Sequence, residues 1–154
     1  MKKIVLTKGK YAFVDDEDYE IISKTKWYAG SRKGQDKYYA MNWKGRMHRF
    51  ILKAKKNQEV DHINGNTLDN RKENLRICDS SQNKANSVIS SRNTSGYKGV
   101  YRSKTNKHKK WIANIKAYGV VYRLGYFHKK EDAAKAYNKK AIELFGEFAR
   151  LNEI

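Results

Sequence analysis

Cysteine, acidic charge and long apolar runs are what this sequence is short of. Its one cysteine, Cys78, excludes an intramolecular disulfide and supplies too few thiols for a zinc ribbon. No apolar run approaches the ~18 residues of a membrane span, and Lys8 and Lys10 interrupt the only N-terminal stretch resembling a signal peptide. The expectation is a soluble, intracellular protein without a membrane partner. Acidic residues number 16 against 34 lysines and arginines, a net charge of +18 over 154 residues. Solubility asks a net charge of only ~2–8 of a small domain, and self-repulsion of this size implies a polyanionic partner. Apolar residues make up 39%, yet eleven Tyr, five Phe and three Trp suffice for packed cores and exclude a disordered chain.

The excess charge is uneven. Basic residues outnumber acidic ones fifteen to seven in residues 1–60, five to four in 61–94 and fourteen to five in 95–154. A nearly neutral centre, where Asp, Asn and His concentrate, is flanked by two basic segments. That profile suits a protein gripping a phosphate backbone on both sides of a working site, although a solvated lysine-rich surface would also produce it.

Along the first stretch, short apolar runs at residues 4–6 and 11–14 precede an acidic turn at 15–18. Residues 27–29 and 38–43 read as aromatic strands bounded by Gly30, Gly34 and Gly45. Met47, Phe50 and Ile51 recur at helical spacing, giving one or two helical turns over 47–52. Residues 60–63 and 75–78 are short strands, and Asn64-Gly65-Asn66 after the first of them is turn chemistry. Asp79 or Ser80 can cap a helix running to about residue 88. The polar, aperiodic stretch from Asn86 to Ser95 contains the linker. Strands are then expected at 97–102, 111–117 and 120–126, with Asn106 in a long basic first loop and Gly119 at the second turn. An amphipathic helix over 131–145 presents Ala133, Ala134, Tyr137, Ala141, Leu144 and Phe145 on one face and ends at Gly146.

Chemistry concentrates between residues 60 and 86. Asp61 and His62 are adjacent, so on a continuous strand they face opposite sides; a bend or a strand end there would let both serve one site. Asp offers a hard oxygen ligand, Asn83 can add a second, and a neutral His can take a proton from water. From His62 to Asn74 is twelve residues and from Asn74 to Asn83 nine. This arrangement of Asp-His, turn, Asn74-Leu75-Arg76 and Asn-bearing helix resembles the HNH endonuclease family, in its phage and homing-type branch, over residues 46–86. The resemblance implies a ββα-metal fold, with Asp61 and Asn83 as metal ligands and His62 as the general base. Asn74 would then be the middle Asn that pins the loop and holds the His-bearing strand. It also implies 5′-phosphate and 3′-hydroxyl products. The last motif position is His in many members; Asn83 there favours a hard metal, Mg²⁺ first with Mn²⁺ as a substitute, over zinc. His48, Arg49 and Arg76 are supporting candidates, with packing or surface ion pairs as their plainer roles. Asn66, Asp69 and Asn70 are expected to shape the turn.

In the C-terminal segment, alternation sets Asn114, Lys116 and Arg123 on the sheet face away from the helix, where they can reach base edges and phosphates. Ser95 to Val100, Trp111-Ile112-Ala113, Leu124 to Phe127 and Ala133 to Tyr137 resemble the Apetala-type DNA-binding domain. That similarity covers residues 95–152. It implies contacts from Lys98, Tyr101, Ser103, Asn114, Lys116, Val121 and Arg123; beyond the resemblance, Arg102, Lys104 and Lys110 are candidate backbone contacts. Several of these are Arg, Glu or Trp in plant members, so plant target sequences do not transfer. His128 stands where a capping Asp is common, which weakens that helix start.

The fold class expected is α+β. N-terminal antiparallel strands lead into a ββα-metal core, and a three-stranded antiparallel sheet packed on one helix follows. The expected domains are a nuclease at 1–88, a linker at 89–94 and a DNA-binding domain at 95–154. The function expected is a metal-dependent endonuclease acting on double-stranded DNA, in a phage or bacterial host cell, as a monomer or a DNA-induced dimer. A non-catalytic DNA-binding regulator is the alternative, and an RNA-binding or RNA-cleaving protein a further one.

Overall fold

Buried Ile4 sits between exposed Lys3 and Val5, and buried Ala12 and Val14 alternate with Tyr11 and Phe13. This period of two makes β1 (Lys2–Val5) and β2 (Tyr11–Val14) an antiparallel hairpin with Ile4 opposite Ala12. The computed structural model describes residues 1–31, 37–105, 108 and 110–154; the turn residues expected at Gly34 and Asn106 lie outside the described residues. The chain divides into two compact units, Met1–Asp79 and Ser80–Ile154.

In the first unit the acidic run is no turn. It opens α1 (Asp16–Ser23), whose first turn holds Asp16, Glu17 and Asp18, where unpaired N–H groups favour negative charge. Ile22 buries the inner side of α1, and its carbonyl accepts a hydrogen bond from Trp27 Nε1 at 2.9 Å. β3 (Tyr28–Ser31), β4 (Tyr38–Asn42) and β5 (Gly45–Arg46) form an antiparallel sheet in sequence order. α2 (Met47–Ile51) buries Met47, His48 and Ile51. β6 (Glu59–His62) and β7 (Leu75–Cys78) pair antiparallel, with Asp61 opposite Arg76 and His62 opposite Leu75. One core unites Ile4, Val14, Ile22, Trp27, Met47 and Leu75.

The N-terminal elements brace the connection between β6 and β7. Phe13 N–H donates to the Leu68 carbonyl, and Asn70 N–H donates to the Phe13 carbonyl, both at 2.8 Å. Asp15 Oδ2 accepts from Lys72 N–H at 2.7 Å, and the Lys72 ammonium pairs with Glu17 and Asp18 of α1.

The second unit begins with α3 (Ser80–Asn86) and continues with β8 (Val100–Arg102), β9 (Trp111–Ala117), β10 (Val120–Phe127) and α4 (Lys130–Phe145). The sheet is antiparallel in the order β10-β9-β8. β8 starts three residues later than expected because Gly96 and Gly99 take φ of +81° and +72°. A Cβ on Gly99 would sit 2.2 Å from the Tyr137 ring and 2.6 Å from the Asn114 carbonyl oxygen, so only glycine fits between them. α4 starts on Lys129 without a side-chain cap and ends on Gly146. It buries Ala133, Ala134, Tyr137, Ala141 and Phe145.

α3 stops at Asn86, short of residue 88, because Val88 and Ile89 are exposed and add nothing to a core. Its Ala85 joins the cluster of Ile115, Ala117, Tyr137, Ala141 and Phe145. The Lys98 ammonium donates to the carbonyls of Lys84, Ala85 and Ser87 at 3.2, 2.5 and 2.7 Å, satisfying the helix C-terminus. Among the described residues no helix is long and apolar enough to cross a membrane.

Candidate active site

β6 ends at His62, and the chain turns at once: Gly65 N–H donates to the His62 carbonyl at 2.8 Å. The turn is built from Asx side chains. Asn64 Oδ1 accepts from Asn66 N–H at 2.8 Å, and Asn66 Oδ1 accepts from Leu68 N–H at 3.1 Å. Asn74 fastens this loop at two points. Its Oδ1 accepts from Asn64 N–H at 2.9 Å, and its Nδ2 donates to the Asp69 carbonyl at 2.8 Å. Its own carbonyl takes Ile63 N–H at 2.9 Å, so the residue after His62 is tied to the strand opposite. Asp69 is buried beside Arg71, whose guanidinium holds the carboxyl below its ordinary range.

The His62 side chain is 4% exposed and lies in a cluster of rings. Its centroid is 4.8 Å from that of His48 and 6.3 Å from that of Tyr39. The Arg46 guanidinium carbon lies 4.5 Å over the Tyr39 ring. Asn70, with no exposed surface, points its Oδ1 at His62 Nε2 from 3.5 Å, the outer limit of hydrogen bonding. The orientation of that amide is set by its Nδ2, which donates to the Leu68 carbonyl at 3.1 Å. Burial lowers the His62 pKa to about 4, against an opposing push from Asn70 and Asp61; burial and the charge of His62 lower that of His48 to about 3. Both imidazoles are therefore neutral near pH 7.

Asp61 is buried one residue earlier, and its Oδ2 accepts from Arg76 Nε and Nη2 at 3.0 and 2.9 Å. Arg76 thus belongs to Asp61, its cross-strand neighbour. Arg49 is engaged elsewhere: its guanidinium donates to the carbonyls of Gln58, Lys55 and Ala54 at 2.6, 2.8 and 3.4 Å, closing the loop after α2. Asn83 lies in α3, within the second unit. Among the described residues no group of three or more His, Cys, Asp or Glu side chains could hold a metal. A carboxylate with an amide oxygen is a donor set suited to a hard ion that keeps water or substrate oxygens, and unsuited to zinc.

Tyr39 and Asn70 are the neighbours of His62 that sequence reasoning did not name for this place. Asn70 has a local signal, since it ends the Asx-rich turn, but no spacing rule points its amide at the imidazole. Nothing in the sequence marks Tyr39.

In the second unit Tyr101, Arg102, Lys110, Lys116, Val121 and Arg123 are exposed. The pairs Asn114 with Arg123 and Lys116 with Val121 stand opposite each other on β9 and β10. Asn114 Nδ2 donates to the Tyr101 hydroxyl, while its Oδ1 is buried with no hydrogen-bond partner among the described residues. Lys98, read as a contact residue, has its ammonium on the end of α3.

A family model described as HNH endonuclease matches residues 48–85, from His48 through the loop fastened by Asn74 and into α3. The chain is 37% identical over 153 residues to an uncharacterized HNH endonuclease of Acanthamoeba polyphaga mimivirus, an alignment covering 96% of this chain and 77% of that protein. It is also 34% identical over 91 residues to Protein 3.8 of Escherichia phage T7, covering 59% of this chain and 73% of that one. No solved structure matches it significantly.

Proposed function

Because the chain belongs to the HNH endonuclease family and is an enzyme of that type, we propose that it hydrolyses phosphodiester bonds of double-stranded DNA with His62 as general base. The observation that carries this is the neutral, buried His62 at the end of β6, one residue from a buried carboxylate and on a loop fastened by Asn74. With Nε2 protonated towards Asn70 Oδ1, the imidazole lone pair sits on Nδ1, the atom we assign to accept the proton of the attacking water. Asn70, Tyr39 and His48 orient that ring. Asn74 sets the distance between the loop and the strand that carries the base.

Asp61 and Asn83 are the residues that would hold one divalent ion, Mg²⁺ or Mn²⁺, in a ββα-metal arrangement of β6, β7 and α3. When bound, such an ion stabilises negative charge on the scissile phosphate and on the leaving 3′ oxygen. Arg76 holds the Asp61 carboxylate in position for that task.

The C-terminal sheet is the DNA-reading element, of Apetala type, with α4 behind it. Tyr101, Asn114, Lys116 and Arg123 face the duplex, and Arg102 and Lys110 reach its backbone. Exposed Lys116 and Arg123 on β9 and β10 support this, since cations on an open sheet face can meet phosphates. Lys98 acts as the cap of α3.

The test is cleavage of supercoiled plasmid with Mg²⁺, Mn²⁺ or EDTA, by wild type and by His62→Ala. Nicking or linearisation that needs metal and is lost in the variant, with DNA affinity kept, is the expected result. Binding with no cleavage in any metal would make the protein a non-catalytic DNA-binding regulator.

A further inference from the structure

Trp43 is 83% exposed, although an indole is ordinarily among the more buried side chains. Its position is built rather than incidental. β4 ends at Asn42, β5 begins at Gly45, and Trp43 and Lys44 form the tip between them. Asn42 is itself buried, and its Oδ1 accepts from both Lys44 N–H at 2.8 Å and Gly45 N–H at 3.1 Å. Gly45 takes a φ of +130°, a conformation that L side chains rarely adopt. The tip is therefore held in one geometry, and that geometry keeps the indole in water. The Lys44 ammonium lies 4.8 Å over the ring.

From the tip the chain runs straight to the site. Arg46 covers Tyr39, and His48 packs on His62, three and five residues beyond Trp43. No acidic residue occurs between Lys37 and Gln58, so the tip lies in a wholly basic segment. A locked aromatic beside a lysine, in a segment without carboxylates, matches a polyanion that also offers flat apolar faces. DNA offers both, as phosphates and as bases.

We infer that Trp43 stacks on a base of the DNA substrate, at a step opened beside the cleavage site, while Lys44 contacts the adjoining phosphate. This rests on the nuclease reading and adds to it the first unit's own hold on DNA. Aromatic wedges of this kind unstack a base step and fix the duplex on the protein. Removing a stacked aromatic weakens binding about tenfold or more.

The experiment uses the full chain and a DNA duplex, without divalent metal to read binding and with Mg²⁺ to read cleavage. Trp27 is buried and Trp111 half-buried, so iodide quenching of tryptophan fluorescence reports chiefly Trp43. The expected results are that DNA shields the indole from iodide and that Trp43→Ala weakens binding about tenfold. Trp43→Tyr should retain most of the affinity. The slope of log affinity against log salt should stay unchanged in Trp43→Ala and fall by about one in Lys44→Met. Unaltered affinity of Trp43→Ala, or an indole equally open to iodide with and without DNA, overturns stacking while leaving the nuclease reading intact. Wild type that neither binds nor cuts DNA overturns both.

Discussion

His48 meets His62 edge to face, with ring centroids 4.8 Å apart and ring planes at 86°. The contact covers one side of the proposed base, and on the nuclease reading His48 positions His62. His48→Ala should leave a void into which the His62 ring can swing. A misplacement of about 1 Å can cost roughly a hundredfold in rate, so single-turnover cleavage should slow by about ten- to a hundredfold. DNA affinity should hold. His48→Phe, which restores a ring, should recover much of the rate. Equal loss of rate in both variants would show that the imidazole itself takes part in the chemistry.

Asp61 and Arg76 form an ion pair in which both side chains are largely buried, at 7% and 12% exposure. Breaking one side of such a pair leaves an uncompensated charge and typically costs about 3–5 kcal/mol when burial is complete, somewhat less here. Arg76→Met should lower the urea midpoint clearly. Arg76→Met combined with Asp61→Asn should recover part of that stability while abolishing metal-dependent cleavage. A double variant no more stable than the single one would mean that Arg76 contributes packing and not charge balance.

The acid limb of stability should carry the mark of His48. An unfolded chain binds a proton at this residue below pH 6.5, whereas the folded protein refuses it until about 3, first because of burial. The stabilisation from keeping the ring neutral is thus complete above pH 6.5 and is lost as pH falls through the window from 6.5 towards 3. Its slope is at most about 1.4 kcal/mol per pH unit. Urea unfolding at stepped pH should therefore give a flatter curve for His48→Gln than for wild type across that window. Parallel curves would place the imidazole in contact with water.

How much of this site could be read without coordinates depends on distance along the chain. The β6–β7 pair was legible because Asn64-Gly65-Asn66 follows a short apolar strand and Leu75 to Cys78 supplies its partner. The fastening role of Asn74 is what the HNH resemblance implies, and its bonds to Asn64 N–H and the Asp69 carbonyl agree with it. The order of strands and helix in the second unit was equally plain, since alternation and a six-residue apolar face are local signals. α1 was not legible, because Asp16, Glu17 and Asp18 suit a turn and a helix start alike and only Ile22 buries there. Asn70 was read correctly as a turn former, through its bond to the Leu68 carbonyl. Its approach to His62 needs Phe13 to hold that loop from more than fifty residues away, which no local rule contains. Trp43 was read as the end of a strand, but the strand stops at Asn42 because that side chain turns back to close the tip.

The outward face of the second unit's sheet carries the last prediction. Arg123 stands opposite Asn114, and Lys116 opposite Val121, on the side of the sheet away from α4. Each cation that displaces a counterion from DNA contributes about 0.9 to the slope of log affinity against log salt. Lys116→Met with Arg123→Met should therefore flatten that slope by roughly two and weaken binding at low salt far more than at high salt. Because neither residue is assigned a role in the chemistry, metal-dependent cleavage at saturating enzyme should proceed, though with a broader choice of sites if Arg123 reads a base. Cleavage positions mapped by primer extension separate the two roles. A flattened slope with unchanged positions would make both residues backbone contacts, and sequence choice would then fall to Asn114 and Tyr101. An unchanged slope would remove this face from DNA altogether and leave the basic segment around Trp43 as the main grip.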